Sequence, residues 1–357
     1  MDIIKLLKSY VNKEQLNIEI NNSDIKLLIE QSLQTLLYPV TNNKEYKRYY
    51  ISWVVKQEEF YNIQSEISNI FNDNNISHVF FKGSVLSKIY DDSSVRTRGD
   101  IDLYVSSNDM NRAKEVLVSN GYVVDSDVVD CMHHYAYKKN GIEVELHFNM
   151  FDPDCDKSWI KLFNNPFELC DLVSGSLYEF KATYHLIYCI MHFAHHLRHG
   201  AGIRYMLDFY YMFKKTNIDF NLLHNILNEC KLDRLYSNII NVLRYVFDVD
   251  FDSSIGDIDI KYFIDYMLEY GIHGHANNET SVQASVHSNK FRYFISRVFL
   301  LNKPYRIARY PKLGKWYFYI ICLIVHWCYL ITHKIGSMFK FLFGKNKNKE
   351  LYKKLGV

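Results

Sequence analysis

The stretch Phe81-Lys82-Gly83-Ser84, followed by Asp100-Ile101-Asp102-Leu103-Tyr104-Val105, decides how this chain folds. The Gly-Ser pair predicts a turn that opens a helix, and the later apolar run predicts a strand. In a strand, residues i and i+2 lie on the same face, so Asp100 and Asp102 are expected side by side. Adjacent carboxylates repel each other unless a cation lies between them. The pair therefore predicts half of a metal-dependent phosphoryl or nucleotidyl transfer site, and Mg²⁺ is expected because it prefers hard oxygen ligands.

Short apolar runs surround these acids and predict further strands. The runs occupy residues 78–81, 101–105, 122–124, 134–137 and 142–148. Asn140-Gly141 separates the last two and is a typical hairpin turn. The order of strands and short helices predicts a small mixed β-sheet domain with helices on one face.

Helical periodicity dominates both flanks of this sheet. Residues 1–75 predict an N-terminal helical segment that packs on the domain at 76–152. Residues 153–343 show almost only helical periodicity and predict a second, mainly α-helical domain, followed by a basic tail at 344–357. The fold class expected is therefore α+β.

Composition limits the class of protein. The chain has 357 residues, of which 48% are hydrophobic and 23% charged, so it can bury a core. A formal net charge of +2 argues against a globally basic nucleic-acid binder, and no strong nucleic-acid signal is present. The seven cysteines never show CxxC spacing, which predicts reduced thiols in a cytoplasmic protein.

An apolar run near the C-terminus leaves three interpretations open. Residues 316–333 contain no Asp, Glu, Lys or Arg and only just reach transmembrane length. Seven lysines and one glutamate follow between Lys334 and Lys354. The run predicts a core helix, a membrane span, or a helix lying on an anionic membrane surface. The last interpretation would give a peripheral contact at the inner face through residues 316–354.

The stretch Glu143-Val144-Glu145-Leu146-His147 supplies further acids on the last predicted strand. They share a face with Asp100 and Asp102 if the two strands are neighbours. Three carboxylates from two strands would make a site for two cations. His147 would contact phosphate, orient an acid, or serve as a hydrogen-bonded structural histidine.

Residues around the Gly-Ser turn predict phosphate binding. Gly83 allows close approach of the backbone, and the Ser84 hydroxyl and the amides that open the helix can hold terminal phosphates. Lys82 is either a catalytic cation or a surface lysine at a strand end. Arg96 and Arg98 are either phosphate clamps or exposed loop arginines.

A histidine-rich helix is predicted further along the chain. Its histidines are His185, His192, His195, His196 and His199. Zinc binding is one interpretation. Because the helix has no HExxH motif and no acid at ligand spacing, packing against the sheet domain and lining of a cleft is favoured. Arg204 and Asp208 are expected to form a helical ion pair, or Asp208 faces the cleft.

The motifs resemble known nucleotidyltransferases. Gly83-Ser84, Asp100-x-Asp102 and a later strand acid resemble the signature of the DNA polymerase β-type superfamily. More narrowly, Lys82-Gly83-Ser84, Arg98-Gly99-Asp100-Ile101-Asp102-Leu103, Gly121-Tyr122 and Val144-Glu145-Leu146-His147 resemble a bacterial family of uncharacterised nucleotidyltransferases. This resemblance implies Mg²⁺, an NTP donor, and Asp100, Asp102 and Glu145 as catalytic metal ligands.

The resemblance also implies a reaction. An NMP would move from the NTP to an acceptor hydroxyl with release of pyrophosphate, and two Mg²⁺ ions would be held by the three acids. Association of the family with surface-polysaccharide gene clusters suggests a glycan or its precursor as acceptor. The alternatives are a non-catalytic nucleotide-binding or regulatory module, and nucleotidylation of a protein or a small-molecule antibiotic.

Overall fold

A mixed seven-stranded sheet lies at the centre of the protein. The computed structural model describes residues 2–125, 133–153, 155–197, 200–271, 294–295, 298–301, 306, 310, 313, 316–334 and 349–357. The strands are β1 (His78–Phe81), β2 (Asp100–Val105), β3 (Val123–Val124), β4 (His134–Lys139), β5 (Ile142–His147), β6 (Cys170–Ser174) and β7 (Leu177–Phe180). Their order is β3-β4-β5-β2-β1-β7-β6. The pairs β2–β5 and β1–β7 are parallel, and the other pairs are antiparallel.

Helices make up most of the remaining described chain. The α-helices there are α1 (Ile3–Asn12), α2 (Asn22–Glu30), α3 (Leu37–Thr41), α4 (Lys47–Asp73), α5 (Gly83–Ile89), α6 (Met110–Ser119), α7 (Lys157–Leu162), α8 (Ala182–Leu197), α9 (Arg204–Lys215), α10 (Phe220–Glu229), α11 (Asp233–Phe247), α12 (Ile260–Tyr270), α13 (Tyr319–Tyr329) and α14 (Lys349–Leu355). The α+β fold predicted from the sequence, with one mixed sheet and a mainly helical C-terminal region, is confirmed. The domain boundaries stay a prediction.

One face of the sheet is closed by α4 and α6. The apolar residues of α4 recur every three or four positions, as in Phe60, Ile63 and Ile67, so they form one stripe along the helix. This stripe packs on the inward residues Ile101 and Leu103 of β2, all of them buried. Strand alternation then sends the acids of β2 to the opposite face.

The opposite face of the sheet packs against the helices that follow it. The ring of Phe81 on β1 contacts the ring of Tyr188 on α8, with centroids 5.2 Å apart. Helix α8 is buried on almost every side, which explains why its sequence is apolar all round. The sheet and α8 therefore form two walls with the acids of β2 between them.

Two strands lie where the sequence predicts almost only helices. Strands β6 and β7 form a hairpin, and β7 extends the sheet by pairing with β1. The sequence predicts a mainly helical region from residue 153 onward and does not predict this hairpin. Most of β6 is exposed, with Leu172 and Val173 both facing solvent, so its pattern lacks the apolar alternation of a half-buried strand.

Helix α13 is not a core helix. Only Cys322 and His326 are buried along it, and they lie on one side. Most of its other large apolar side chains are exposed. Among the described residues, no helix combines the length and the apolar character that crossing a membrane would need.

Candidate active site

The three predicted acids lie together on the face of the sheet that points away from α4. Strands β2 and β5 are parallel neighbours, and Asp102 is paired in register with Glu145. Asp100, Asp102 and Glu145 all line a cavity of about 370 Å³ between the sheet and helices α8 and α9. The expectation that the two strands are neighbours is confirmed. Glu143, paired with Asp100, is not among the residues that line the cavity.

Crowding of the three carboxylates controls their protonation. Burial and the neighbouring charges of Asp102 and Glu145 raise the pKa of Asp100 to about 7. Burial alone would raise the pKa of Asp102 as well, but the Lys82 ammonium and the His147 ring beside it hold that pKa well below its usual range. The acids are therefore close enough to need positive charge near them, and Lys82 supplies part of it.

Lys82 is a buried counter-ion of Asp102. Its Nζ lies 2.7 Å from Asp102 Oδ1, and only 18% of its side chain is exposed. Burial lowers the pKa of this lysine, but Asp102 and the other two acids outweigh burial and keep it above its usual value. The backbone at Lys82 has a φ of 51° and a ψ of −130°, a conformation that costs a non-glycine residue free energy. In this backbone conformation the side chain of Lys82 lies beside the acids.

The acid cluster fits a hard divalent cation. Asp102 Oδ2 is buried and has no hydrogen-bond partner within the described chain. One oxygen each of Asp102 and Glu145 and one nitrogen of His147 lie within 4.8 Å of one another. A buried carboxylate oxygen without a donor is costly unless a cation binds it. Asp102 and Glu145 are thus the acids whose arrangement fits a divalent cation, and Asp100, which lines the same cavity, stays the predicted third ligand.

Arg98 carries an unsatisfied guanidinium at the cavity wall. It is 6% exposed, and its Nε and Nη2 atoms have no hydrogen-bond partner in the part of the chain that the structure describes. Nη1 donates to the carbonyl of Gly83, and the group lies over the ring of Phe60 at 4.4 Å. Burial and the nearby Arg96 lower the pKa of Arg98 to about 10. Two buried donors without acceptors suit an anionic ligand such as phosphate.

Arg96 is bound within the protein. Its Nε and Nη2 donate to the two carboxylate oxygens of Asp208 on α9 at 2.7 and 3.0 Å, and Tyr90 donates to the same carboxylate. Arg96 and Asp208 both line the cavity. The partner of Asp208 is therefore Arg96, while Arg204 donates to the carbonyl of Thr97. Asp208 has the cleft position that the sequence favoured, with its charge already paired.

The family of the chain follows from comparison with known proteins. Residues 25–248 match a family described as uncharacterised nucleotidyltransferases. The match covers more than half of the chain and contains the acids, the Gly-Ser turn and the Arg96–Asp208 pair. The chain belongs to this family. No curated protein matches it. Membership gives the chain a general role in nucleotidyl transfer and makes it a transferase.

Ser84 of the nucleotidyltransferase does not line the cavity. It is fully buried, and its hydroxyl has no hydrogen-bond partner in the described parts of the chain. Gly83 does line the cavity, wedged against the two arginines. The structure thus brings Lys82, Gly83, Arg96 and Arg98 to the cavity wall and leaves Ser84 behind it.

Gly83→Ala is expected to lower the free energy of unfolding by roughly 1–3 kcal/mol, as overpacking does. An added Cβ would lie 2.9 Å from Arg96 Nη1 and 3.3 Å from Arg98 Cβ, and Arg96 cannot move freely because Asp208 holds it. Gly99→Ala is the matched control, because nothing lies within 4 Å of its added Cβ. Urea denaturation of both variants tests this, and equal stability of the two would contradict the predicted clash.

The histidine helix α8 forms the wall opposite the acids. His192, His195 and His196 line the cavity, which confirms the interpretation of the helix as a cleft wall. The Nε2 atoms of His192 and His196 form a hydrogen bond of 3.0 Å with each other. His185 is not among the residues that line the cavity, and its ring stacks on the ring of Phe180. His199 lies outside the described residues.

The buried histidines should make the nucleotidyltransferase acid-sensitive. Burial and the charge of Arg96 lower the pKa of His185 to about 4, against an ordinary value of 6.5. Between these values the unfolded chain binds a proton that the folded chain does not, so stability falls as pH drops from about 6.5 towards 4. At pH 5 this residue alone costs about 2 kcal/mol. The loss of unfolding free energy between pH 8 and pH 5 should be smaller by that amount in His185→Gln; an unchanged loss would contradict the assignment.

Two adjacent residues of the site were missed from the sequence. His133 and His134, at the start of β4, line the cavity beside Glu145. The signal was available, because a His-His pair precedes a strand that the hairpin joins to Glu145 and His147. Arg204 and Tyr205 of α9 also line the cavity, and no local pattern identifies them.

Proposed function

We propose that the protein transfers a nucleoside monophosphate from an NTP to an acceptor hydroxyl and releases pyrophosphate. The observation that carries this proposal is the convergence of Asp100, Asp102 and Glu145 in one cavity that the unsatisfied guanidinium of Arg98 also lines. Divalent cations bound by the acids would neutralise charge on the phosphates. The order of the Gly-Ser turn, the Asp-x-Asp strand and the later strand acid supports membership of the DNA polymerase β-type superfamily.

The chain's own residues would position the two substrates. Arg98 has two donors for phosphate oxygens, and Lys82 keeps Asp102 ionised. In the reaction the acceptor oxygen would form a bond to the α-phosphorus, and its proton would pass to a carboxylate of the site. The bond between the α-phosphorus and the oxygen that bridges it to the β-phosphorus would break, so that pyrophosphate leaves. Catalysis of this kind depends mainly on positioning and on charge neutralisation. Helices α8 and α9 supply the wall on which the acceptor would lie.

The position of the radioactive label in the NTP separates this reaction from its closest rival. The protein is incubated with Mg²⁺, lysate of the source cell, and each NTP labelled at the α- or the γ-phosphate. Label should enter a product from the α-phosphate only. Label from the γ-phosphate would show phosphoryl transfer and overturn the proposal, and label from neither would favour a non-catalytic nucleotide-binding module.

The acceptor that we propose is a glycan or a precursor of a surface polysaccharide, on the strength of family association alone. Digestion of the labelled product tests this. Glycosidase should release the label and protease should not. Release by protease would instead identify a protein acceptor, and a product that resists both would point to a small molecule.

A further inference from the structure

Three histidines converge beside the acids, at the edge of the same cavity. His134 begins β4 and His133 directly precedes it, and His134 is paired in register with His147 at the end of β5. The three ring centroids lie 4.7 to 5.2 Å apart. One nitrogen of each ring lies within 4.8 Å of one nitrogen of the other two. Such spacing suits a shared ion, because ligands on one ion must lie this close.

Each of the first two rings has a carboxylate behind it. His133 Nδ1 forms a hydrogen bond with Asp152 Oδ1 at 2.8 Å, and His134 Nε2 lies 3.3 Å from Glu145 Oε1, at ion-pair distance but without a hydrogen bond. A carboxylate on one ring nitrogen fixes the ring and leaves the other nitrogen as a lone-pair donor, the usual arrangement of metal-binding histidines. The other nitrogens, His133 Nε2 and His134 Nδ1, lie 3.2 Å apart. Two ligands of one tetrahedral zinc ion lie about 3.3 Å apart.

The third ring follows the same pattern. His147 Nε2 lies 3.2 Å from Asp102 Oδ1 and 3.1 Å from Glu145 Oε2. Its Nδ1 is fully buried and has no hydrogen-bond partner among the residues that the structure describes. A buried ring nitrogen without a partner is costly unless an ion or a donor reaches it. All three rings thus have a carboxylate near one nitrogen. The other nitrogens of His133 and His134 hydrogen-bond each other, a contact that a shared ion would replace, and His147 Nδ1 has no partner among the described residues.

We propose that His133, His134 and His147 form a second metal site, for a zinc-class ion. Three imidazoles suit Zn²⁺ and similar transition metals and disfavour Mg²⁺, which prefers oxygen. His133 and His134 line the cavity, so a fourth coordination position can face a substrate there. His147 would link this site to the acid site, with one nitrogen towards each. The proposal stands independently of the nucleotidyl transfer reaction.

Zinc titration without nucleotide tests this site. The full chain, stripped with a chelator, should bind one Zn²⁺ in competition with a chromophoric chelator. His133→Ala and His134→Ala should each lose at least about 100-fold in affinity, and Asp152→Asn about 10- to 100-fold, because it only orients His133. His224→Ala is the matched control, since that histidine also forms a hydrogen bond with an aspartate, Asp252, and is not part of this cluster.

Two further measurements identify the ligands. Asp100→Asn touches no histidine of the cluster and should keep zinc affinity, whereas a loss there would place the ion among the acids instead. The Co²⁺-substituted protein should show the visible absorption of a tetrahedral nitrogen site, which keeps the test valid if a variant fails to fold. Absence of bound zinc in the wild type, or equal affinity of wild type and His133→Ala, would overturn the proposal.

A separate feature of the surface, the outer face of α13, supports a second inference. The segment around this helix exposes large apolar side chains, among them Ile320 at 72% and Ile331 at 64%. Its opposite side carries the buried residues Cys322 and His326, and His326 Nδ1 forms a hydrogen bond with the Tyr310 hydroxyl at 2.9 Å. Contiguous exposed apolar residues of this kind mark interaction sites.

We infer that this face docks on an anionic lipid surface. The sequence from 302 to 349 contains ten lysines and arginines and no aspartate or glutamate. A partner that complements both the basic residues and the exposed apolar side chains has a negatively charged surface above an apolar interior. A bilayer with anionic headgroups has this structure. Tryptophan and tyrosine at 316 and 317 are typical of the membrane interface.

Vesicle co-sedimentation of the full chain tests this surface. The chain should bind vesicles of phosphatidylcholine with phosphatidylglycerol and should bind phosphatidylcholine alone weakly. Ile320→Asp with Ile324→Asp should weaken binding at least tenfold or so, since two exposed apolar side chains are lost. Val123→Asp with Val124→Asp is the matched control on exposed β3. Equal loss in both variants, no binding to anionic vesicles, or self-association that only the α13 variant abolishes would overturn the inference.

Discussion

Asp102→Ala is expected to abolish nucleotidyl transfer while the protein stays folded. The substitution removes the carboxylate that Lys82 and His147 both contact and the buried oxygen that fits a cation. A loss of roughly 10³-fold, or about 4 kcal/mol of transition-state stabilisation, is the size expected for such a group. The fold should survive for two reasons. Glu145 and Asp100 remain as negative charges near the Lys82 ammonium, and removing one of the three carboxylates lowers the repulsion among them.

Two measurements on the same preparation test this prediction. Transfer of label from the α-phosphate of the NTP measures activity, and a thermal melt measures whether the protein stays folded. Glu143→Ala is the matched control, since Glu143 shares the strand face of Glu145 but lies outside the cavity. The control should turn over near the wild-type rate. If Asp102→Ala matches it, the acids do not form the active site; if Asp102→Ala melts far below the control, its inactivity says nothing about catalysis.

Local signals in the sequence predict the sheet side of the site well. The two-residue turn at Asn140-Gly141, where both residues have positive φ, fixes the register of the hairpin. Counting outward from that turn pairs Ala136 with Glu145 and His134 with His147. The small side chain of Ala136 leaves room beside Glu145. The histidine cluster was therefore within reach of sequence reasoning, because hairpin register depends only on neighbours along the chain.

The helical wall could not be predicted in this way. Arg96 and Asp208 are separated by 112 residues, and their pairing depends on how α9 packs against the turn before β2. Periodicity identifies α9 as a helix and leaves its partner open. The hairpin of β6 and β7 failed for a different reason. Its Ser-Gly-Ser turn is a signal, but an exposed edge hairpin lacks the buried alternation that distinguishes a strand.

Asp208→Asn is expected to lower the free energy of unfolding by about 3–5 kcal/mol, the usual cost of breaking a buried ion pair. Asp208 and Arg96 are 2% and 5% exposed, so water cannot replace the lost charge. Arg204, next to the pair, adds a second guanidinium whose charge Asp208 stabilises. Asparagine keeps the shape of the aspartate, removes its charge and replaces one acceptor oxygen with an amide donor, so the expected loss includes at least one of the hydrogen bonds that Asp208 accepts.

Urea denaturation of a small series separates charge from hydrogen bonding. Tyr90→Phe removes the hydrogen bond from an uncharged donor to the same carboxylate and should cost about 1.5–3 kcal/mol, less than the loss of the ion pair. Arg96→Met combined with Asp208→Leu removes both charges of the pair and should recover most of the loss of Asp208→Asn, because Arg96 no longer leaves an unpaired charge buried. If the double variant is no more stable than Asp208→Asn, loss of packing rather than an unpaired Arg96 explains the effect. Recovery of stability without recovery of transfer would show that the pair also shapes the substrate cavity that it lines.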